Sequence, residues 1–194
     1  AIIRMSGWKG DVPLLDPMCG SGTILAEAMM AAANIPSGIL HDNFGFQQLP
    51  DHDAAAWKAQ RVEIDAAIKP VKQGLISGSD IESEAVKFAR RNLARLPHGN
   101  SVSLTTRDFD DIESFKDGVI ITNPPYGLRI GHRNAIQPLF KGFGDFLKQR
   151  CTNSTAYIYV GKPELLKLVG LRTKWKRELV NGALEGRLAK YELY

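Results

Sequence analysis

Metal-ligating patterns are missing from this sequence. It has two cysteines, Cys19 and Cys151, with no CxxC pair, and four histidines (His41, His52, His98, His132) scattered without ligand spacing. A zinc-type site and a disulfide framework are thereby excluded as organising features, no metal is expected, and two reduced thiols in a cytoplasmic protein are the plain reading. No apolar run approaches the roughly 20 residues of a membrane-spanning helix, and the N-terminus lacks a signal peptide's charged-then-apolar layout. There is no internal repeat and no low-complexity tract. An initiator methionine is also absent: "AIIRMSGW" opens the chain like the tail of a helix already under way, which reads as a fragment of a longer protein.

What is present is an ordinary soluble balance: 194 residues, 44% apolar and 24% charged, enough for one domain spanning 1–194 with a proper core. The net charge of +4 is unevenly placed. Lys162–Tyr194 holds eight Lys/Arg against four Glu and accounts for all of it, so the remainder is neutral. A basic end suits a polyanionic partner, with a solvated strand face as the blander alternative.

Strand and helix patterns alternate along the chain. "VPLLD" (12–16) predicts a short buried strand, followed by a glycine turn and an Ala/Met/Leu-rich helix over about 23–33. "NIPSGILHDNFGF" predicts a loop, 54–69 a helix, and 75–81 a strand. Ser83 is placed to cap a helix carrying Val86, Ala89, Leu93 and Leu96. "SVSLTT" and "GVIIT" predict strands three and four, Pro138 a helix start with Phe140, Phe143 and Leu147 on one face, and "TAYIYV" strand five. The segments 171–180 and 187–194, joined through "NGALEG", predict an antiparallel hairpin. The fold class is therefore α/β, a mostly parallel seven-stranded sheet with helices on both faces and a C-terminal antiparallel hairpin. Ligands of such sheets bind beyond the carboxyl ends of the strands where strand order reverses, which directs attention to the ends of strands one and four.

Strand one ends in "LLDPMCGSGTILAEA". Gly20 and Gly22 permit a tight turn and close approach to the free N–H groups of the following helix. No Lys follows Gly22, as a P-loop requires, and only GxG of a GxGxxG fingerprint is present. Asp16 beside the glycines would repel a pyrophosphate and welcome a cation, which fits the sulfonium and α-ammonium of S-adenosylmethionine. Strand two ends in "GSDIES", where Asp80 can accept ribose hydroxyls. It lies well past the usual spacing of about 20 residues, and the loop and helix at 34–70 account for the gap as an insertion. After strand three, "RDFDD" offers Asp108 to an adenine amino group, and Phe109 a backbone N–H or a ring face.

Strand four runs into "ITNPPYGLR". An exocyclic base amine is a poor nucleophile because its lone pair is delocalised. Acceptors that hold its N–H groups let the nitrogen pyramidalise, and the Asn123 side-chain oxygen with the Pro124 carbonyl supplies two. Pro124 and Pro125 hold them still, which limits reorganisation during the reaction. Tyr126 offers a π face to a base swung out of its stack.

"LDPMCGSGT" together with "ITNPPYGLR" resembles the Rossmann-like, S-adenosylmethionine-dependent amino-methyltransferases. Within that class the chain is most similar to the THUMP-associated RNA methyltransferases, which include bacterial enzymes acting on guanine N2 of large-subunit ribosomal RNA and archaeal tRNA relatives. The similarity spans nearly the whole chain, including "PSGILHDNFGF", "GSDIESEAVKFARRN" and "NGALEGRLAKYEL". The resemblance implies that Asp16, Pro17, Cys19, Gly20, Gly22 and Thr23 form the turn around the methionine part of the cofactor. It further implies Asp80 and Ile81 at the ribose, Asp108 and Phe109 at the adenine, and Asn123, Pro124, Pro125 and Tyr126 at the target base, with Asn123 shared between cofactor and base. Nothing here corresponds to the N-terminal THUMP RNA-binding domain of such proteins. Phosphate contacts are therefore expected from the basic C-terminal strands and from Arg129, His132 and Arg133 of "LRIGHR". The expected protein is a cytoplasmic, monomeric RNA guanine-N2 methyltransferase with ribosomal RNA as partner and no membrane association. The alternatives are a tRNA guanine-N2 enzyme, an adenine-N6 methyltransferase on DNA or RNA, and a catalytically idle RNA-binding module.

Overall fold

Short apolar runs separated by helical patterns have one economical solution: parallel strands crossed over by helices that cover both faces. The computed structural model describes residues 1–125, 133–182 and 184–194. The elements are α1 (Ile2–Ser6), β1 (Leu14–Asp16), α2 (Thr23–Ala33), α3 (Ala54–Ala66), β2 (Ile76–Asp80), α4 (Ser83–Leu93), β3 (Ser103–Thr106), β4 (Val119–Thr122), α5 (Arg133–Arg150), β5 (Ser154–Val160), β6 (Trp175–Asn181) and β7 (Leu184–Leu193), with short 3₁₀ turns between them. They form one seven-stranded sheet in the order β3-β2-β1-β4-β5-β7-β6. β1 through β5 are mutually parallel, and β7 runs antiparallel to both β5 and β6. Strand order reverses at β1, with β2 and β3 on one side and β4 and β5 on the other.

Period-two alternation sends neighbouring residues into two separate cores. Leu14, Ile121, Tyr157 and Leu188 pack with Leu25 and Met29 of α2 and Leu93 of α4. Leu15, Ile120, Ile158 and Ala189 pack on the opposite face with Phe140, Phe143, Phe146 and Leu147 of α5. The expected α5 face is thus buried, with Phe146 added to it.

Several boundaries differ from the sequence reading. β1 is shorter because the Val12 carbonyl accepts the Trp8 indole N–H (2.8 Å), which takes it out of the ladder. α4 has Glu82 at its N-cap, and Ser83 lies inside the helix. The polar group holding this start is Asp80, whose Oδ1 accepts the Glu82 N–H at 3.0 Å. α3 stops at Ala66, where the Ala67 carbonyl accepts from the Asn34 side chain and the Lys69 N–H bonds the Ala33 carbonyl, one residue before Pro70. α5 begins at Arg133, upstream of Pro138, which sits inside the helix on an exposed position where water can satisfy the freed carbonyl. The hairpin is tighter than "NGALEG" suggested: Asn181 pairs with Leu184, and Gly182 takes φ +59°. Gly186 continues β7 because a Cβ there would strike the Tyr159 ring, so this glycine marks a close approach within a strand.

Candidate active site

The chain leaves β1 at Asp16 and turns through residues 17–22. The turn is tied to its neighbour by the Cys19 N–H, which donates to the Ser79 carbonyl at 2.9 Å, and is closed by the Gly22 N–H on the Cys19 carbonyl at 2.8 Å. Pro17 is buried within it. Gly20 and Gly22 both need positive φ (+53° and +81°), yet they do different work. A Cβ at Gly22 would stand 2.9 Å from the Cβ of Ala89, so this glycine lets α4 approach. A Cβ at Gly20 would meet nothing within 4 Å, so its side of the turn is open. Thr23, exposed, begins α2.

Asp80, at the carboxyl end of β2, closes the other side. Its Oδ2 accepts the Gly20 N–H at 2.9 Å and its Oδ1 the Glu82 N–H, so one carboxylate fixes both the turn and the start of α4. Ile81 beside it is 64% exposed, an apolar side chain left flanking the acid. At the end of β3, the Asp108 side chain accepts the Asp110 N–H at 3.0 Å and caps a 3₁₀ turn. The Phe109 ring lies in the core, edge-on to Phe143 with centroids 5.4 Å apart. It therefore offers no free face, and of the two roles expected for this residue its backbone N–H remains.

Asp16 is 1% exposed, with the Met18 N–H donating to its Oδ1 at 3.2 Å. Burial pushes its carboxyl up to about 7. The Thr122 hydroxyl and the Met18 N–H pull it back, and the negative Asp80 adds to the rise. A cation placed against it would draw it into the ionised form. The Cys19 thiol is pushed up to about 12 by burial, then by Asp16 and Asp80, and Cys151 to about 12 by burial, so neither is a nucleophile. Among the described residues no group of three or more His, Cys, Asp or Glu has a metal-holding arrangement.

β4, paired with β1 and β5, delivers Thr122 fully buried, Asn123 exposed, Pro124 buried and Pro125 exposed. The acids and Asn123 therefore line up along one edge of the sheet, in the strand order β3 (Asp108), β2 (Asp80), β1 (Asp16), β4 (Asn123). A hollow of about 290 Å³ lies between α1, α2 and β6, and one of about 570 Å³ lies at the hairpin beside Lys162, Glu178 and Arg187; neither is lined by Asp16, Asp80, Asp108 or Asn123. Tyr126, Arg129 and His132 fall outside the described residues, and Arg133 is the first residue of α5.

Sequence reasoning missed Thr122. Its only signal was a hydroxyl closing an otherwise β-branched apolar strand. In the C-terminal strands several of the basic side chains pair with acids of the same hairpin. Lys174 and Lys190 both reach Glu192 (3.2 and 3.4 Å), and Arg187 reaches Glu178 (3.0 Å). Contact with the two lysines, Lys174 foremost, holds the Glu192 carboxyl below its usual range. Arg177 stacks 4.7 Å over the Trp175 ring.

A family model for the RMKL-like methyltransferase domain matches residues 1–190. The chain belongs to this family. An RNA methyltransferase of Synechocystis sp., so named provisionally, is 39% identical over 195 residues, covering all of this chain and 51% of the relative. The ribosomal RNA large subunit methyltransferase K/L of Photobacterium profundum is 36% identical over 199 residues, covering 98% of this chain and 28% of that protein. Among solved structures, SMU.472, provisionally assigned as a methyltransferase and crystallised with SAH, superposes with a TM-score of 0.89 at 30% identity, over all of this chain and 51% of its own. This RMKL-like domain thus spans about half the length of the Synechocystis relative and of SMU.472, and about a quarter of the K/L enzyme. Its sheet has the Rossmann-like methyltransferase arrangement, and among the described residues no helix is long and apolar enough to cross a membrane.

Proposed function

We propose that this chain transfers a methyl group from S-adenosylmethionine to an exocyclic amine of an RNA base, guanine N2 of large-subunit ribosomal RNA foremost, in the cytoplasm. The observation that carries the reading is the row of strand ends: a buried acid on β1 and an exposed, proline-stiffened asparagine on β4, side by side where strand order reverses. The choice of RNA is supported by the names of the relatives, and that of guanine by the resemblance of nearly the whole chain to the THUMP-associated RNA methyltransferases, since "NPPY" by itself suits either amine.

The residues fit the cofactor. The open side of Gly20 leaves room beside the turn, buried Asp16 suits a cationic group, Asp80 suits a diol and exposed Ile81 an apolar face. Asp108 and the Phe109 N–H would take the adenine. When bound, S-adenosylmethionine supplies an electrophilic methyl group on its sulfonium. Asn123 Oδ1 and the Pro124 carbonyl accept the amine's two N–H groups, which concentrates the lone pair on nitrogen and orients it. Pro124 and Pro125 restrict the backbone, so these acceptors need no rearrangement in the transition state. The amine's surplus proton leaves to water. Tyr126 stacks on the base, and Arg129, His132 and Arg133 contact phosphates.

The test is a single-turnover incubation of excess protein with deproteinised large-subunit ribosomal RNA and methyl-labelled cofactor, followed by mass spectrometry of the nucleosides. The expected product is N2-methylguanosine. Label found only in N6-methyladenosine would replace the guanine assignment, and absence of label at stoichiometric protein would reject the activity.

A further inference from the structure

The 3₁₀ turn after β3 spans only Phe109–Asp111. It is closed by the Asp111 N–H on the Asp108 carbonyl and the Ile112 N–H on the Phe109 carbonyl, both at 3.1 Å. So short a turn, with the poorer hydrogen-bond geometry of 3₁₀ structure, needs support from outside. That support comes from α5. The Phe109 ring packs on Phe143 and Phe146, with centroids 5.4 and 5.8 Å away. Arg150, the last residue of α5, donates from Nη1 to the Asp110 carbonyl and to the Ile112 carbonyl, the latter at 3.2 Å. Its own carbonyl accepts the Phe115 N–H at 2.9 Å.

A cation in a last helical turn has its own helix's carbonyls to complement. Arg150 instead takes two carbonyls 40 and 38 residues upstream, and among the described residues no carboxylate pairs with it, although Asp110 and Asp111 are exposed in that same turn. Ile112 is buried, so its carbonyl would be left short of a donor without the guanidinium. Asp108 engages the turn through Oδ1, whereas its Oδ2 and the Phe109 N–H take no partner among the described residues. We infer that Arg150 is a positioning residue: by gripping the Asp110 and Ile112 carbonyls it sets the place of the Asp108 carboxylate and the Phe109 N–H, and with them a preference for an adenine ring. The preference rests on the cofactor proposed above; the grip on the turn does not.

Hydrogen exchange of the ligand-free protein tests the grip. Arg150→Met removes the donors and keeps the stem. The Asp111 and Ile112 amides should then exchange about 10-fold faster, while those of Ile120 and Ile121 in β4 keep their wild-type rates. Wild-type rates in the turn, or equal acceleration in β4, overturn the grip. Calorimetry tests the preference, using SAH and S-inosylhomocysteine, whose ring carries an oxygen and an N–H where adenine carries its amine and N1. Wild type should favour SAH by about 10-fold or more. Arg150→Met should bind SAH about 10-fold more weakly and the analogue as wild type does. Arg150→Lys, a milder change that keeps one charged donor, should move both readings the same way and less far. Equal weakening of the two ligands, or an SAH affinity at the wild-type value, overturns the adenine role. Failure of wild type to bind SAH rejects the proposed cofactor, and the exchange rates still decide the grip.

Discussion

β1 leaves the sheet through a turn held by hydrogen bonds, whereas β4, one strand away, leaves it through two prolines. At the β1 exit the polar groups are buried or bonded before any ligand is considered: Asp16 to the Met18 N–H, Asp80 to Gly20 and Glu82, and Cys19 to Ser79. At the β4 exit Asn123 is exposed, and its rigidity comes from covalent geometry. The difference matches the two ligands proposed. A small cofactor bound in one fixed pose favours an enclosed, pre-wired cradle. A base delivered on a large polymer needs an open approach, and there only the acceptors must be stiff.

The largest effect expected from that contrast is at Asp16. Its carboxyl, raised from 3.8 to about 7 mainly by burial, binds its proton more tightly in the folded than in the unfolded chain. The folded state has that advantage below about pH 4 and loses it progressively as pH rises through 7. Asp16→Asn, which carries no such charge, should therefore be more stable than wild type at pH 8, by up to about 4 kcal/mol, with the gap closing toward pH 4. The same variant should lose SAH binding. Urea unfolding at the two pH values checks the first statement and calorimetry the second; a variant less stable than wild type at pH 8 would remove Asp16 from this role.

Next in size is Asn123→Ala. With the transition-state acceptor gone, single-turnover methyl transfer should fall by about 10² or more while SAH affinity holds. An active variant would reduce the β4 exit to a plain strand terminus. The two glycines sharpen the β1 side. Gly22→Ala meets Ala89 and should lower stability by about 1–3 kcal/mol, seen as a lower Tm. Gly20→Ala meets no neighbour and should cost about 1 kcal/mol of backbone strain while weakening SAH binding. A larger loss of stability at Gly20 than at Gly22 would reverse these assignments. Asp80→Ala should weaken SAH by about 1–3 kcal/mol, since it removes an acceptor and frees the Gly20 N–H. Isothermal titration measures this, and an unaltered affinity would exclude Asp80 from the cofactor site.

Much of this architecture was legible in the sequence because it depends on local signals. α2 was read at its true bounds from its Ala/Met/Leu pattern after the glycines, and the acids at three strand ends could be ordered before the sheet was seen. What escaped depends on neighbours distant in sequence. Gly186 resembles a turn residue until the Tyr159 ring is found against it, and Phe109 could be assigned two roles until α5 claimed its ring. A charge count shows that the C-terminal end is basic but not which cations pair: Glu192 holds Lys174 and Lys190, and Glu178 holds Arg187. Thr122 became visible only through its burial at the end of β4.

The central claim is that one edge of the sheet forms a two-part site with the cofactor on the β1–β3 side. Amide chemical-shift mapping in nitrogen-15 labelled protein on addition of SAH tests it most directly. The largest shifts should fall on Met18, Gly20, Ile81 and Phe109, with a smaller one at Asn123 and none across the insertion at 34–70. Shifts concentrated at the hairpin hollow near Lys162 and Arg187, or none at saturating SAH, would contradict the account.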